Sequence, residues 1–252
     1  MQDQRVALIT GANQGIGLQV AHDLAAHGLT VLVGSRTLAK GETAAQGVGK
    51  AAHAIQLDVT DHASIAAAAD RIRTDFGRLD ILINNAAISN TSKQDGMSVE
   101  EYAKLTRPSN ISFEELRAIW ETNVFGVLAV YQAMLPLLRE APDARIVNVS
   151  SGAGSLTENA NPAARYRSSF GPGYSASKTA LNALTLAMAI ELEETRIKVN
   201  AVSPGFIGTN LNNYAGTGTV EEGAREIVRV ALLGSESPTG TFTRATAAVI
   251  PW

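Results

Sequence analysis

Short apolar runs alternate with longer stretches of helical spacing along most of this chain. Arg5–Thr10, Leu29–Gly34, Ala52–Leu57, Leu79–Ile83, Arg145–Val149 and Arg196–Val202 are each five to seven residues of mostly aliphatic and β-branched side chains. Runs of that kind are what strands buried on both faces require. Between them, Leu18–Gly28, Leu38–Val48, His62–Phe76, Ser112 to about Arg139, Tyr174 to about Thr195, and Val220–Leu233 carry apolar positions at helical spacing. Asp61 is placed to cap the third helix and Gly77 to end it. Ser112-Phe-Glu-Glu115 has the form of a capping box. Gly240–Thr243 and Ala247–Ile250 are able to pair as a closing strand. The alternation predicts an α/β fold, a doubly wound parallel sheet with helices on both faces. No repeat of solenoid period and no linker interrupts residues 1–252, so a single domain is expected.

The first strand runs straight into Gly11-Ala-Asn-Gln-Gly15-Ile-Gly17 and then into a helix. A strand, a tight turn and a helix N-terminus together aim unpaired backbone N–H groups and the positive end of a helix dipole at one point, which suits a diphosphate. Glycine serves where φ must be positive, where backbone meets oxygen closely, or where a helix packs hard on a strand. The spacing is G-x-x-x-G-x-G, and such a turn alone is weak evidence of a nucleotide. The residues downstream decide.

Ligands of open α/β sheets lie beyond the carboxyl ends of the strands, where the strand order reverses. The second strand ends in Ser35-Arg36, where a ribose 2′-hydroxyl would call for Asp or Glu and a 2′-phosphate for a basic residue. With no carboxylate there, Arg36 points to NADPH, with NADH the less favoured cofactor; Asn13 and Lys40 are further donors. Asp58-Val59 ends the third strand and Asn84-Asn85-Ala86-Ala87 the fourth. Asn123 sits in mid-helix among Trp120, Val124 and Leu128, a polar residue in an apolar setting that hints at function. Ser150-Ser151 ends the fifth strand, and a connection rich in Gly, Ser, Asn and Pro follows to Gly173, long enough to suggest a functional loop. Tyr174 and Lys178, one helical turn apart, open the next helix on one face. Pro204–Thr209 leaves the sixth strand for a mobile-looking segment, Asn210–Thr219.

Composition narrows the partners. The 252 residues are 45% hydrophobic and 18% charged, with a formal net charge of −3, which gives no electrostatic reason to expect nucleic acid or an anionic membrane. Absence of cysteine excludes disulfides, thiol nucleophiles and Cys-based zinc sites. The four histidines lack ligand spacing, so no metal is expected. The first strand begins within five residues and no apolar run is read as long enough to span a bilayer, so a cytoplasmic protein is expected.

In order along the chain, Thr10–Gly17, Asp58, Asn84–Ala87, Asn123, Ser150-Ser151, Tyr174-x-x-x-Lys178, Pro204-Gly205 and Thr209 resemble the short-chain dehydrogenase/reductase family over essentially the whole length. The resemblance implies a Rossmann fold with a seven-stranded parallel sheet. It implies catalysis by Tyr174 as general acid/base, Lys178 as its partner, Ser151 as the carbonyl-orienting hydroxyl and Asn123 as anchor of a water-linked proton relay. Ser151 is favoured over Ser150 because the family uses the second serine, and Ser150 is expected on the sheet's opposite face. Cofactor contacts are implied at Gly11, Asn13, Gln14, Gly15, Ile16, Gly17, Arg36, Asp58, Val59, Asn85, Ala86, Ala87, Tyr174, Lys178, Pro204, Gly205, Ile207 and Thr209. Ala87 departs from the family's glycine, which makes ribose contacts tighter. The 88–111 stretch and the Ser151–Tyr174 interval are longer than usual, as in the branch that resembles monomeric carbonyl reductases.

The roles are physically coherent. Hydride transfer to a ketone builds charge on oxygen, which needs aimed donors. A free tyrosine, with a pKa of about 10, is a poor base near neutrality until an adjacent ammonium favours its phenolate. The expected activity is NADPH-dependent reduction of a small hydrophobic ketone or aldehyde, bounded by loops at about 88–111, 152–173 and 206–219. An NAD-dependent alcohol dehydrogenase of the same family and a non-catalytic NADP(H)-sensing protein are the alternatives. Monomer, homodimer and higher homo-oligomer all stay open.

Overall fold

The computed structural model describes residues 4–91, 97–164 and 167–252. Parts of the sequence-derived loops 88–111 and 152–173, namely 92–96 and 165–166, lie outside the described residues, as do the first three residues. The strands are β1 Val6–Ile9, β2 Thr30–Ser35, β3 Ala52–Gln56, β4 Ile81–Asn84, β5 Arg145–Val149, β6 Lys198–Val202, β7 Phe242–Arg244 and β8 Ala248–Val249. They form one sheet in the order β3-β2-β1-β4-β5-β6-β7-β8. Every pairing is parallel except β7 with β8. The sequence reading of seven parallel strands therefore gains an antiparallel eighth. It is two residues long and follows two left-handed residues, Thr246 (φ 64) and Ala247 (φ 60), and its pairing with β7, Thr243 opposite Val249, is the one expected between Gly240–Thr243 and Ala247–Ile250.

The principal helices are α1 Gly15–Ala26, α2 Leu38–Val48, α3 His62–Phe76, α4 Val99–Leu105, α5 Phe113–Trp120, α6 Gly126–Arg139, α7 Leu156–Ala160, α8 Tyr174–Glu191 and α9 Val220–Ala231. Side chains alternate across the sheet. Leu8, Leu82 and Ile146 pack with Ile72, Met134 and Leu181 on the face covered by α3, α6 and α8. Ile9, Ile83 and Val147 pack with Val20, Leu24 and Ile227 on the other face, under α1 and α9. Local signals hold where they were strong: Asp61 Oδ1 accepts from Ala63 N at 2.9 Å, and Gly77 is left-handed at φ 76.

The long helix predicted from Ser112 departs from regularity. Ser112 Oγ accepts from Glu115 N, but the Glu115 carboxylate reaches not back to Ser112 but out to Thr91 N at 2.9 Å and to the Tyr102 hydroxyl at 2.9 Å. Half the capping box is thus given up to hold a loop. Residues Glu121–Phe125 form a π-helical turn between α5 and α6, an irregularity that apolar spacing does not encode. By length and composition the run Phe113–Arg139 is apolar enough to cross a membrane, contrary to the sequence reading. Half of its most apolar stretch is buried, as in a core helix.

Gly126 starts α6 where it meets the loop after β3. A Cβ there would lie 2.7 Å from Val59 O and 3.1 Å from Glu121 O, both backbone atoms. Alanine gains up to about 1 kcal/mol in helix propensity, whereas overpacking costs typically about 1–3 kcal/mol. Gly126→Ala is therefore expected to destabilise the protein by about 1–2 kcal/mol. An unchanged urea midpoint would show that this contact yields freely.

Candidate functional site

The carboxyl ends of β1, β2, β3, β4, β5 and β6 open on one cleft of about 740 Å³. Its first wall is the turn after β1. Gly11 (φ 64) and Gly15 (φ 59) take conformations costly for other residues. Helix α1 begins at Gly15 with no side-chain cap and no acidic residue in its first turn, so its leading N–H groups face the cleft unsatisfied by the chain. Thr10 and Asn85 lock this turn to β4. Thr10 Oγ1 accepts from Asn85 N and Ala86 N, each at 3.0 Å, and Asn85 Nδ2 donates to Thr10 O at 2.9 Å and Gly11 O at 3.1 Å. A Cβ on Gly17 would lie 2.4 Å from Asn85 Nδ2. The turn is shaped as a diphosphate cradle, and a dinucleotide fits the donor set.

Most of the expected cofactor contacts meet here: Gly11, Asn13, Gln14, Gly15, Ile16, Gly17, Arg36, Asp58, Val59, Asn85, Ala86, Ala87, Tyr174, Lys178, Pro204 and Thr209 line the cleft, as does Lys40. Gly205 and Ile207 stand behind the lining. Gly205 is left-handed at φ 95, and Ile207 is buried and bridges to Gly218. Arg36 and Lys40 are exposed. Among the described residues Asp58 is the one acidic residue of the lining, and its Oδ1 already accepts from Thr60 N at 2.9 Å and Thr60 Oγ1 at 2.8 Å.

At the other end stand Tyr174 and Lys178. The Lys178 Nζ lies 5.7 Å from the Tyr174 ring centre and donates to Val149 O at 2.8 Å. Helix α8 packs directly on the turn after β5 because Gly154 has no side chain: a Cβ there would meet Lys178 C at 2.7 Å. Ser150 lies on the α8 side, its Oγ donating to Asn182 Oδ1 at 2.5 Å. Ser151 caps the short 3₁₀ turn Gly152–Gly154 by accepting from Ala153 N at 3.2 Å, and Ser150 rather than Ser151 belongs to the lining. The proton of Ser150 is committed, whereas the bond recorded for Ser151 uses only its acceptor side.

Asn123 sits in the π-helical turn, buried, behind the lining. Its Oδ1 accepts from Ile88 N at 2.9 Å, and its Nδ2 donates to Ile88 O at 2.8 Å and Ser177 Oγ at 3.0 Å. It thus clamps the residue after the Asn-Asn-Ala-Ala turn to α8. Sequence reasoning missed two further supports. Ser155 Oγ donates to Pro251 O at 2.5 Å, and Thr157 Oγ1 donates to Trp252 O at 2.7 Å. These bonds, with an Arg244–Glu158 ion pair, tie α7 to the last residues of the chain. Asn210–Thr219, read as mobile-looking, carries a set of its own bonds. Thr209 and Asn212 form a capping box, and Gly208 N and Thr217 N donate to Gly218 O and Phe206 O at 3.0 Å.

Comparison with known proteins agrees with this geometry. The family model described as short chain dehydrogenase matches residues 5–219. A short-chain dehydrogenase, anuI, of Penicillium roqueforti is 39% identical over 91% of this chain and 89% of its own. Salutaridine reductase of Papaver somniferum is 31% identical over 95% and 94%, and its solved structure superposes with a TM-score of 0.80 over 95% of this chain and 99% of that one. A 3-ketoacyl-(acyl-carrier-protein) reductase of Brucella melitensis complexed with NADH, 27% identical, superposes at 0.78 over 97% and 98%.

Burial pushes the Lys178 ammonium down from 10.5 to about 7. The unfolded chain then holds more protons than the folded one between those values, so stability rises with pH through that window. Urea unfolding of nucleotide-free protein is expected to show a higher midpoint at pH 9 than at pH 7. Lys178→Met is expected to lose most of that difference; an equal difference in the variant would place the titration elsewhere.

Proposed function

Because the chain belongs to the short-chain dehydrogenase/reductase family and is an NAD(P)-dependent oxidoreductase acting on CH–OH/C=O groups, we propose that it is an NADPH-dependent reductase of a hydrophobic ketone or aldehyde. The observation that carries the nucleotide preference is the end of the cleft beyond β2. Arg36 and Lys40 stand there, no carboxylate ends the strand, and the one acid in the lining among the described residues, Asp58, is already engaged by Thr60. Two cations without a competing acid suit a 2′-phosphate. The direction is favoured by relatives whose names are reductases, salutaridine reductase and (-)-isopiperitenone reductase among them.

With its diphosphate held at the turn before α1 and its nicotinamide ribose by Lys178, the dinucleotide would supply the hydride that the carbonyl carbon receives. The rest falls to this chain. Ser151, with its acceptor side held by Ala153 N, turns its proton to the carbonyl oxygen and orients it. Tyr174 gives that oxygen a proton as charge develops there. Lys178, fixed by Val149 O, has further N–H bonds for the nicotinamide ribose and places its charge beside Tyr174. Asn123 holds Ile88 and α8 in register, so the loop carrying the ribose contacts cannot drift from the catalytic helix. The substrate lies among loops 88–91, 152–164 and 206–219, whose Leu211 and Tyr214 line the cleft.

Absorbance at the nicotinamide band, followed with a panel of hydrophobic ketones and aldehydes, tests this. NADPH consumption is expected to depend on the carbonyl compound and to fall at least about 100-fold in Tyr174→Phe, in keeping with the worth of a positioned acid. In Arg36→Ala the KM for NADPH is expected to rise about tenfold, the range of one charge-assisted bond, while that for NADH stays nearly constant. Turnover with NADH alone would overturn the preference, and turnover surviving in Tyr174→Phe would overturn the assignment of the acid.

A further inference from the structure

The loop after β4 crosses the mouth of the cleft and is tied to the opposite side by one side chain. Ser89 Oγ donates to Leu211 O at 2.6 Å. A carbonyl oxygen only accepts, so this bond uses the single proton of the Ser89 hydroxyl. Asn90 lies 3.2 Å from that same Oγ and must face it with a donor, its Nδ2. The orientation of the Asn90 amide is settled by that argument, and its Oδ1 points away from Ser89. There Oδ1 has no hydrogen-bond partner among the described residues and is shut off from solvent, although Asn90 belongs to the lining that holds Tyr174 and Lys178. The loop has little freedom to correct this. Thr91 N is held by Glu115 Oε1 at 2.9 Å, and the Tyr102 hydroxyl lies 2.9 Å from Glu115 Oε1 and 3.1 Å from Ser89 O.

A buried acceptor without a donor bears the full loss of its hydration. An apolar ligand or a bare carbonyl has nothing to offer it; a hydroxyl or an N–H does. We propose that Asn90 is a specificity-determining residue, whose Oδ1 accepts a hydrogen bond from a hydroxyl or amine that the substrate carries in addition to its reacting carbonyl. The inference rests on the carbonyl-reducing reading and narrows its substrate class to ketones or aldehydes bearing a second, donor-containing group. Because Oδ1 is shut off from solvent while Ser89 is bonded to Leu211, the donor reaches it only by displacing that contact. A site built to bond such a group discriminates strongly against the analogue that lacks it, because its own polar atom is then left unpaired.

The test compares acetophenone with its 2′-, 3′- and 4′-hydroxy isomers, which carry the donor to three positions around one ring. In the wild type, at least one isomer is expected to show kcat/KM ten or more times that of acetophenone. In Asn90→Ala that ratio falls to near one, while in Asn90→Asp, which keeps an acceptor, most of it is retained. A structural role for Asn90 would slow all four ketones together and leave the ratio intact, which overturns the proposal, as does a wild type with no preference among them. Calorimetric binding of the same ketones to the protein loaded with NADP+ gives the ratio without turnover. Preferential binding that Asn90→Ala abolishes, with no reduction of any ketone, would retain Asn90 as a donor-recognising residue while overturning the reductase reading. Equal binding of all four by wild type and variant would overturn the role of Asn90 itself.

Discussion

The structure turns on a junction of two residues at the carboxyl ends of β1 and β4. Thr10 and Asn85 bind each other's backbone: the hydroxyl takes two N–H groups, and the amide gives to two carbonyl oxygens. Parallel neighbours leave their end groups pointing into the same crevice, and without side chains to pair them those groups would bind water where a cofactor must bind. By closing four of them internally, the junction leaves the first turn of α1 as the unsatisfied donor set. Gly17 follows from it, since any side chain there would strike the Asn85 amide. Gly17 is thus as much a consequence of a distant asparagine as a requirement of a phosphate.

A second polar layer lies deeper and couples the sheet to α8. Asn84 Nδ2 donates to Asn148 Oδ1, and Asn148 Nδ2 to Thr185 Oγ1. Ser150 continues the same face to Asn182. Buried amides in a parallel sheet are costly unless paired, and here the pairing fixes the height at which α8 crosses the strands. That height places Lys178 against Val149 O and beside the Tyr174 ring. The Tyr174–Lys178 end of the cleft is therefore located by hydrogen bonds made by other side chains.

The strands, the order of elements and most of the cleft were legible in the sequence because each left a strong local mark. Apolar runs, Asp61, Gly77 and the three opening glycines acted where residue type and neighbours decide the conformation. Features made by contacts between distant residues left none. Glu115 reads as a capping partner for Ser112, yet it bonds Thr91 and Tyr102, since a carboxylate at that position can satisfy either set and tertiary structure chooses. The π-helical turn at Glu121–Phe125 was visible only as an asparagine in an apolar setting. The anchoring of α7 by the last two residues involves backbone carbonyl oxygens, which every residue has. Asn90 gives no sequence signal of its own, because its orientation depends on where Leu211 happens to lie.

The segment from Phe206 to Gly218 closes upon itself, through the Thr209–Asn212 capping box and the bonds of Gly208, Thr217 and Gly218 to its two ends. Gly216 lies so close to Ile207 that a side chain could not be accommodated. Such a piece loses its conformational entropy when the protein folds, not when a ligand arrives. A molecule beneath it need not supply the free energy of ordering a loop. Its faces can also be exchanged residue by residue while its frame survives, so that over evolutionary time one nucleotide site could be refitted with many different covers.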